Sequence, residues 1–199
     1  MNTVKRYSEV ERNTRETQIK VSWNIDGTGV SKIDTGIGFM NHMLELFTRH
    51  GFFDIQIDCK GDLDVDCHHT MEDLGIVMGD ALNKALGDKA GIKRYGSMLL
   101  PMDETLVLIA LDLSGRPGLY WDVKAPAQSV NNIDQRLFHE FFQSFCNRCG
   151  MNLHVRMIAS EEIHHLYEAI FKGLAKALDQ ATSYDSRIEG VLSTKGKFD

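Results

Sequence analysis

A chain of 199 residues with 43% hydrophobic residues is long enough for one medium domain, or for two small similar units with a real core. Its net charge of −6 and its pI near 5.7 argue against a general nucleic-acid-binding protein, because such proteins usually carry a basic surface. No apolar run approaches the length of a membrane span and no charged-then-apolar leader opens the chain, so we expect a cytoplasmic location without membrane contact.

The first predicted element is a half-buried strand at residues 16–26, where Ile19, Val21 and Trp23 recur at every second position. The Asp-Gly-Thr-Gly turn at the end of this strand is followed by a short stretch at residues 30–34 that reads as a second strand. Because such turns commonly join neighbouring antiparallel strands, the two strands are predicted to form a hairpin.

A helix, a strand and a second helix are predicted to follow the hairpin. Apolar residues recur with the helical period in the first and third of these segments, and the second is predicted to be a short strand. The segments are residues 38–51, 53–59 and 68–86. The first unit of the chain is therefore predicted to be ββαβα.

The second half of the chain repeats this order of elements, so the sequence is predicted to contain an internal duplication. A strand, its hairpin partner, a helix, a strand and a helix are predicted at residues 105–115, 118–123, 133–148, 151–157 and 163–181. The predicted fold class is α+β, with a single domain over residues 1–199 made of two similar halves, about 1–92 and 93–199.

The pattern His-His-x-x-Glu occurs twice, at the start of the last predicted helix of each half. On a helix, His68 and Glu72 lie four residues apart on one face and can chelate one ion. His69 lies about 100° further round the helix and must point in another direction. Two such motifs therefore predict a two-metal centre.

The first long helix of each half supplies a further pair of candidate ligands. When Phe39 is aligned with Leu137 and Phe47 with Phe145, apolar residues match throughout the two helices. A slip of one residue would rotate the apolar face of a helix out of the core. This register pairs His42 with Glu140, and it leaves the neighbouring His139 as a less favoured donor.

Eight candidate metal ligands result from these two observations. They are His42, His68, His69, Glu72, Glu140, His164, His165 and Glu168. The simplest symmetric arrangement gives each of two ions one His–Glu pair from one half. Imidazole together with carboxylate suits first-row transition metals such as manganese, iron, cobalt or zinc, and does not decide among them.

Several weaker signals are interpreted as structural. The acidic stretch at residues 61–66 lacks the later glutamate of a calcium loop, and is predicted to be a polar lead-in to the helix in which Asp66 is the partner of a ligating histidine. His50 and His154 are predicted to be structural residues. The four cysteines are predicted to be reduced, mostly buried thiols.

A series of longer motifs resembles the imidazoleglycerol-phosphate dehydratase family of histidine biosynthesis. In chain order they are RNTRETQI, DGTG, GIGFMNHM, DVDCHHTMED, RYGSMLLPMDE, LDLSGRP, IHHLYEAIFK and LSTKG. The resemblance covers nearly the whole chain, and it implies a hydro-lyase with a ribosomal protein S5 domain 2-like fold of two four-stranded sheets with helices packed between them. It also implies two Mn²⁺ ions per subunit and a homo-oligomer, a 24-mer with its sites at subunit interfaces.

The resemblance also assigns the candidate ligands to the two ions. One ion is implied to be held by His42, His69, His164 and Glu168. The other ion is implied to be held by His68, Glu72, His165 and Glu140, with His139 as the alternative to Glu140. Neighbouring histidines thereby serve different ions, in agreement with the geometry of a helix.

The implied substrate is a phosphorylated imidazole, and the resemblance points to residues that contact it. The phosphate is implied to bind Arg94, Arg116, Lys172, Ser193 and Lys195, since guanidinium and ammonium groups suit a dianion. Glu16 is the candidate acid/base and substrate-binding residue, and Glu72 and Glu168 are metal-bound alternatives for the catalytic proton transfer.

The implied reaction converts D-erythro-imidazole-glycerol phosphate into imidazole-acetol phosphate. The substrate has no carbonyl group that would acidify the C–H bond to be broken, so its imidazole ring must drive the loss of hydroxide. If two metal ions held that ring as an imidazolate, its electron density would expel hydroxide through a diazafulvene-like intermediate.

Two alternatives from other functional classes stay open. A dinuclear metal hydrolase also uses His and carboxylate ligands, and would act on generic phosphoesters. A metal-binding or scaffold homologue that has lost catalysis would bind ions without turnover. Neither alternative explains why so many motifs of a single enzyme family occur in order along the chain.

Overall fold

The computed structural model describes residues 6–125, 130 and 133–198. The elements of the first half are, in order, β1 Tyr7–Asn13, β2 Thr17–Asn24, β3 Ser31–Asp34, α1 Gly38–Gly51, β4 Asp54–Gly61 and α2 His68–Leu86. Those of the second half are β5 Tyr95–Met102, β6 Thr105–Asp112, β7 Gly118–Asp122, α3 Arg136–Cys149, β8 Asn152–Ala159 and α4 Ile163–Thr182. The two halves have the same order of elements.

Each half forms a four-stranded sheet, with the strand orders β1-β2-β4-β3 and β5-β6-β8-β7. The predicted α+β fold with an internal duplication is thereby confirmed, although each unit has one more strand than the predicted ββαβα. The missing strands are β1 and β5. Their inward positions include Ser8, Arg12 and Gly96, so neither strand shows a clear alternation of apolar and polar residues.

The two predicted hairpins are wrong. Strand β3 does not pair with β2 but runs parallel to β4, and β7 likewise runs parallel to β8. The turn after β2 instead passes over the start of β4. There the Asp54 carboxylate accepts hydrogen bonds from the backbone N–H groups of Thr28 and Val30. A Cβ atom at Gly27 would lie 2.3 Å from the Asp54 nitrogen, so this crossing requires glycine.

The helices lie between the two sheets, as predicted. Helix α2 packs on strands β1, β2 and β4 of its own half and on α3 of the other half. Helix α4 packs on β5 and β6 and on α1. Aromatic side chains fill the layer between the halves: the rings of Trp23 and Phe145, one from each half, are stacked with their centroids 6.4 Å apart.

Three of the four helices have nearly the predicted bounds, and α3 begins three residues later than predicted. Ile133 forms a bridge with Val130 in place of the first helical turn. The Asp134 carboxylate then accepts the backbone N–H of Arg136, which fixes the start of the helix. The four cysteines are free thiols, and burial raises the pKa of Cys59 to about 12. Within the described ranges, every helix is too short or too polar to span a membrane.

Candidate metal and phosphate sites

Three of the predicted metal ligands converge where α1 meets α4. Oε1 of Glu168 lies 2.8 Å from Nε2 of His42 and 3.0 Å from Nε2 of His164. The donor atoms of the three residues all lie within 4.8 Å of one another. Two imidazole nitrogens and one carboxylate oxygen form a donor set that suits a first-row transition metal.

The Glu168 carboxylate is buried but stays ionised. Burial alone would raise its pKa, but hydrogen bonds from Lys172, His42 and His164 outweigh this effect and hold the pKa at about 2. The ammonium of Lys172 lies 2.5 Å from Oε2, and Glu168 itself is 8% exposed. Glu168 is therefore a carboxylate that keeps its negative charge at neutral pH.

The starts of α4 and α2 orient the two histidine pairs. The Glu162 carboxylate caps α4 by accepting the backbone N–H groups of His164 and His165, at 2.9 and 2.8 Å. At the start of α2, Asp66 accepts the backbone N–H of His68 at 2.6 Å. Asp66 is therefore a partner of His68, but through the backbone N–H of that residue and not through its ring.

Adjacent histidines point in different directions, as expected for a helix. The ring planes of His68 and His69 are 79° apart, and those of His164 and His165 are 82° apart. In the first motif, Nε2 of His68 lies 3.8 Å from Oε2 of Glu72. Each motif therefore offers one His–Glu pair in one direction and a single histidine in another.

One member of the second His–Glu pair, His68, shares a cavity with Glu140. His68 and Glu140 line one cavity of about 410 Å³ between the starts of α2 and α3. His139 does not line this cavity; its ring packs edge-on against Trp121, with a centroid distance of 6.0 Å. Glu140 of α3 thus lines the same cavity as the first histidine of α2, whereas His42 of α1 contacts Glu168 of α4 directly.

His69 and His165 do not contact the other ligands of the ions that the resemblance assigns to them. Nδ1 of His69 lies 2.9 Å from Asp62, and its Nε2 lies 3.8 Å from Glu16. Nδ1 of His165 lies 3.0 Å from Oε2 of Glu104. Among the described residues, no hydrogen bond or ion pair joins His69 to the cluster around Glu168, or His165 to the group around His68.

Hydrogen bonds to these two rings also shift their pKa values. The hydrogen bond that His69 donates to Asp62 raises the pKa of His69, and the one that His165 donates to Glu104 raises the pKa of His165. In return, His165 lowers the pKa of Glu104 to about 2. Asp62 and Glu104 did not emerge from the sequence analysis, because they lie in turns whose proximity to the histidines depends on the sheet topology.

Four of the five predicted phosphate-binding residues line a single cavity of about 810 Å³ near the end of the chain. They are Arg94, Arg116, Ser193 and Lys195, and the cavity is also lined by Arg187 and Lys197. Lys172 is not among the lining residues, since its ammonium contacts Glu168 and the sulfur of Met102. Three of the four predicted cationic phosphate ligands therefore line this cavity, and the fourth, Lys172, contacts Glu168.

Arg94 connects the second sheet to the C-terminal segment. Its guanidinium donates two hydrogen bonds to the Asp112 carboxylate, at 2.6 and 2.9 Å, and a third to the carbonyl oxygen of Leu192, at 2.7 Å. The bonds to Asp112 raise the pKa of Arg94. Arg94 thereby holds the segment that carries Ser193 and Lys195 against the cavity.

Replacing Arg94 with glutamine is expected to weaken the binding of inorganic phosphate about tenfold to a hundredfold, the loss typical of a charged hydrogen-bonding group. The C-terminal segment should also become more susceptible to proteolysis, because Leu192 loses its partner. Calorimetric titration with phosphate and limited proteolysis would measure the two effects. The control is Arg156→Gln, since Arg156 pairs with exposed Asp122 outside the cavity; equal phosphate affinity in both variants would contradict the role of Arg94.

Comparisons with known proteins identify close relatives of the chain. A family model described as imidazoleglycerol-phosphate dehydratase matches residues 35–178. Proteins of that name from Citrifermentans bemidjiense and Geobacter sulfurreducens are each 54% identical over 193 residues, which cover 97% of this chain and 99% of the relative. The crystal structure of the enzyme from Staphylococcus aureus is 37% identical, covers 90% of this chain and 99% of its own, and has a TM-score of 0.81. That of IGPD from Pyrococcus furiosus is 33% identical, with coverages of 95% and 100% and a TM-score of 0.83.

Proposed function

Because the chain belongs to the imidazoleglycerol-phosphate dehydratase family, and is thus a hydro-lyase of histidine biosynthesis, we propose that it dehydrates D-erythro-imidazole-glycerol phosphate with two Mn²⁺ ions. The product is imidazole-acetol phosphate. The observation that carries this proposal is the convergence of His42, His164 and Glu168 on one small volume. A carboxylate that stays ionised beside two imidazole nitrogens provides the mixed donor set that a transition-metal ion takes.

The donor groups fit the proposed ions. Imidazole nitrogen and carboxylate oxygen together suit first-row transition metals, manganese among them. One ion would be held by His42, His69, His164 and Glu168. The other would be held by His68, Glu72, His165 and Glu140.

Each proposed ligand set takes one histidine from a different subunit. Support comes from the position of His69, which lies beside Asp62 and Glu16 and not beside the Glu168 cluster of its own chain. His165 is likewise separated from His68 and Glu140 in the chain, since it faces Glu104. We therefore propose a homo-oligomer, a 24-mer, and light scattering would test it: a fully active monomer would contradict the shared sites.

The residues of the chain would divide the chemistry between them. When bound, the two ions supply positive charge that stabilises the deprotonated imidazole ring of the substrate. The Glu16 carboxylate, 54% exposed and 3.8 Å from Nε2 of His69, takes the proton from the carbon adjacent to the ring-bound carbon that loses its hydroxyl group. The hydrogen and the hydroxyl group leave as water, and the resulting enol becomes the ketone of the product when carbon is protonated. Glu168 is a poor alternative, because Lys172 and two histidines already occupy its carboxylate.

The substrate phosphate would bind in the cavity lined by Arg94, Arg116, Ser193 and Lys195. Guanidinium groups give paired, charge-assisted hydrogen bonds to phosphate oxygens, and the lysine adds a point charge. Binding energy from the phosphate would hold the reacting carbons in place. Lys172, by contrast, would keep Glu168 ionised rather than contact the phosphate.

Turnover of imidazole-glycerol phosphate by metal-stripped protein, with and without added Mn²⁺, tests the proposal. Manganese-dependent formation of imidazole-acetol phosphate is the expected result. Turnover that is unaffected by stripping and by chelators would contradict the proposed cofactor. Two bound ions per chain without turnover would contradict the proposed catalysis, and release of inorganic phosphate from generic phosphoesters would favour a metal hydrolase.

A further inference from the structure

The second histidine of each motif has a carboxylate at the same ring nitrogen. Oδ2 of Asp62 lies 2.9 Å from Nδ1 of His69, and Oε2 of Glu104 lies 3.0 Å from Nδ1 of His165. These are normal distances for a hydrogen bond between an imidazole N–H and a carboxylate. The two carboxylates do not occupy equivalent positions of the duplicated fold, so the two halves make the same contact with residues from different loops.

The duplication shows how the two contacts arise. Asp62 directly follows β4, and the equivalent residue after β8 is Ser160. The Ser160 hydroxyl lies 2.8 Å from the hydroxyl of Thr105 and 3.1 Å from the carbonyl oxygen of Glu162. Ser160 is thus engaged elsewhere, and it is too short to reproduce the carboxylate of Asp62.

The turn before the second strand of each half supplies the other carboxylate. Glu16 directly precedes β2 and Glu104 directly precedes β6, so the two glutamates are equivalent. In the first half, Glu16 lies near Nε2 of His69, while Asp62 holds Nδ1. In the second half, Glu104 has taken the position at Nδ1 of His165.

A carboxylate at Nδ1 decides which nitrogen can bind a metal. A neutral imidazole carries one N–H, and a carboxylate acceptor fixes that N–H on the nitrogen it faces. The other nitrogen then keeps its lone pair and a fixed direction. Carboxylate–histidine–metal arrangements of this kind are general among metal sites, and they also raise the basicity of the ligand.

We propose that Glu104 is a positioning residue for His165, as Asp62 is for His69, and that each presents Nε2 of its histidine to a metal ion. The proposal rests on the proposed function, in which both histidines bind manganese. It also separates the roles of the two equivalent glutamates. The Glu104 carboxylate accepts the Nδ1–H of His165. In the first half Asp62 accepts the Nδ1–H of His69, so the Glu16 carboxylate can serve in proton transfer.

A competing role for Glu104 is direct metal ligation. The donor atoms of Asp103, Glu104 and His165 lie within 4.8 Å of one another, which a small cation could bridge. Loss of a ligand and loss of a positioning residue have different consequences. Without a ligand the number of bound ions falls, whereas without a positioning residue the number is kept and the affinity falls.

The test uses the full-length protein with Glu104→Ala, Glu104→Gln and, as a matched control, Asp103→Asn. Asp103 lies in the same turn and loses the same charge, but it makes no hydrogen bond to His165. Nitrogen-15 NMR of the metal-free protein at alkaline pH, where the ring is neutral, reports the position of the His165 proton. We expect Nδ1–H in the wild type and in the control, and a mixture of both tautomers in Glu104→Ala.

Calorimetric titration with Mn²⁺ gives the second readout. We expect one of two ions to bind about 10- to 100-fold more weakly in Glu104→Ala at unchanged stoichiometry, with a smaller loss in Glu104→Gln, whose amide oxygen still accepts the N–H. An unchanged tautomer, an unchanged affinity or the complete loss of one ion from both Glu104 variants would overturn the proposal. A wild type that binds no manganese would instead contradict the proposed cofactor, while the tautomer measurement still tests the positioning role.

Discussion

Replacing Glu168 with glutamine is expected to abolish high-affinity binding of one manganese ion and to reduce turnover by more than about a hundredfold, since loss of an outer partner of a metal ligand already costs up to that much in affinity or activity. The neutral amide removes the negative charge that lies between His42 and His164. It also leaves the ammonium of Lys172 without its counter-charge. Calorimetric titration with Mn²⁺ and steady-state kinetics would measure the two effects.

The same variant has an expected dependence of stability on pH in the metal-free protein. The folded-state pKa of Glu168, about 2, is below the usual value of 4.5, so its ionised form stabilises the folded state above about pH 4.5. This contribution is lost as the pH falls towards 2. Urea unfolding should therefore show a wild type that exceeds Glu168→Gln in stability at neutral pH, with a difference that closes in acid. Glu45→Gln, an exposed change on α1, is the control and should show no such difference.

Replacing both Gly75 and Gly79 with alanine is expected to destabilise the protein by about 3 kcal/mol or more, which corresponds to a Tm lowered by about 9 °C. A Cβ atom at Gly75 would lie 2.4 Å from the carbonyl oxygen of Phe141, and one at Gly79 would lie 2.7 Å from that of Phe145. Backbone oxygens of α3 cannot rotate away, so the two helices must separate.

Helix propensity alone predicts the opposite sign for this change, since alanine favours a helix over glycine by about 1 kcal/mol. Gly38→Ala is therefore the matched control: Gly38 lies in α1, and a Cβ atom there would have no neighbour within 4 Å. Thermal unfolding of the metal-free protein would compare the variants. A Gly75/Gly79 double variant as stable as Gly38→Ala would rule out the close contact between α2 and α3.

The duplicated α+β fold and three helices were accessible from the sequence, because long apolar periodicities survive in single segments. Helix α2 was predicted with its observed bounds, since its buried residues recur at helical spacing over its whole length. Strands β1 and β5 were missed because pairing with a neighbouring strand, rather than their own apolar pattern, makes them strands. The hairpins were predicted wrongly because turn residues do not reveal that the chain crosses over another strand.

The candidate site was predictable where one helix carries both members of a pair, as for His164 and Glu168. It was also predictable where packing register decides, since Glu140, and not His139, lines the same cavity as His68. It was not predictable for Asp62 and Glu104, whose contacts depend on where loops end in the folded sheets. From its closeness in sequence, Asp66 was predicted to be the carboxylate partner of a ligating histidine. In the structure, it accepts the backbone N–H of His68 at the start of α2.

The pairing of α1 with α4 and of α2 with α3 bears on the ancestry of the chain. Donors from opposite halves meet in both places: Glu168 contacts His42, and His68 lines one cavity with Glu140. A half-length ancestor would therefore have carried only part of a site. Two copies packed through these helices would form two such sites at once, so a chain that carries both halves keeps together what separate halves could form only by associating.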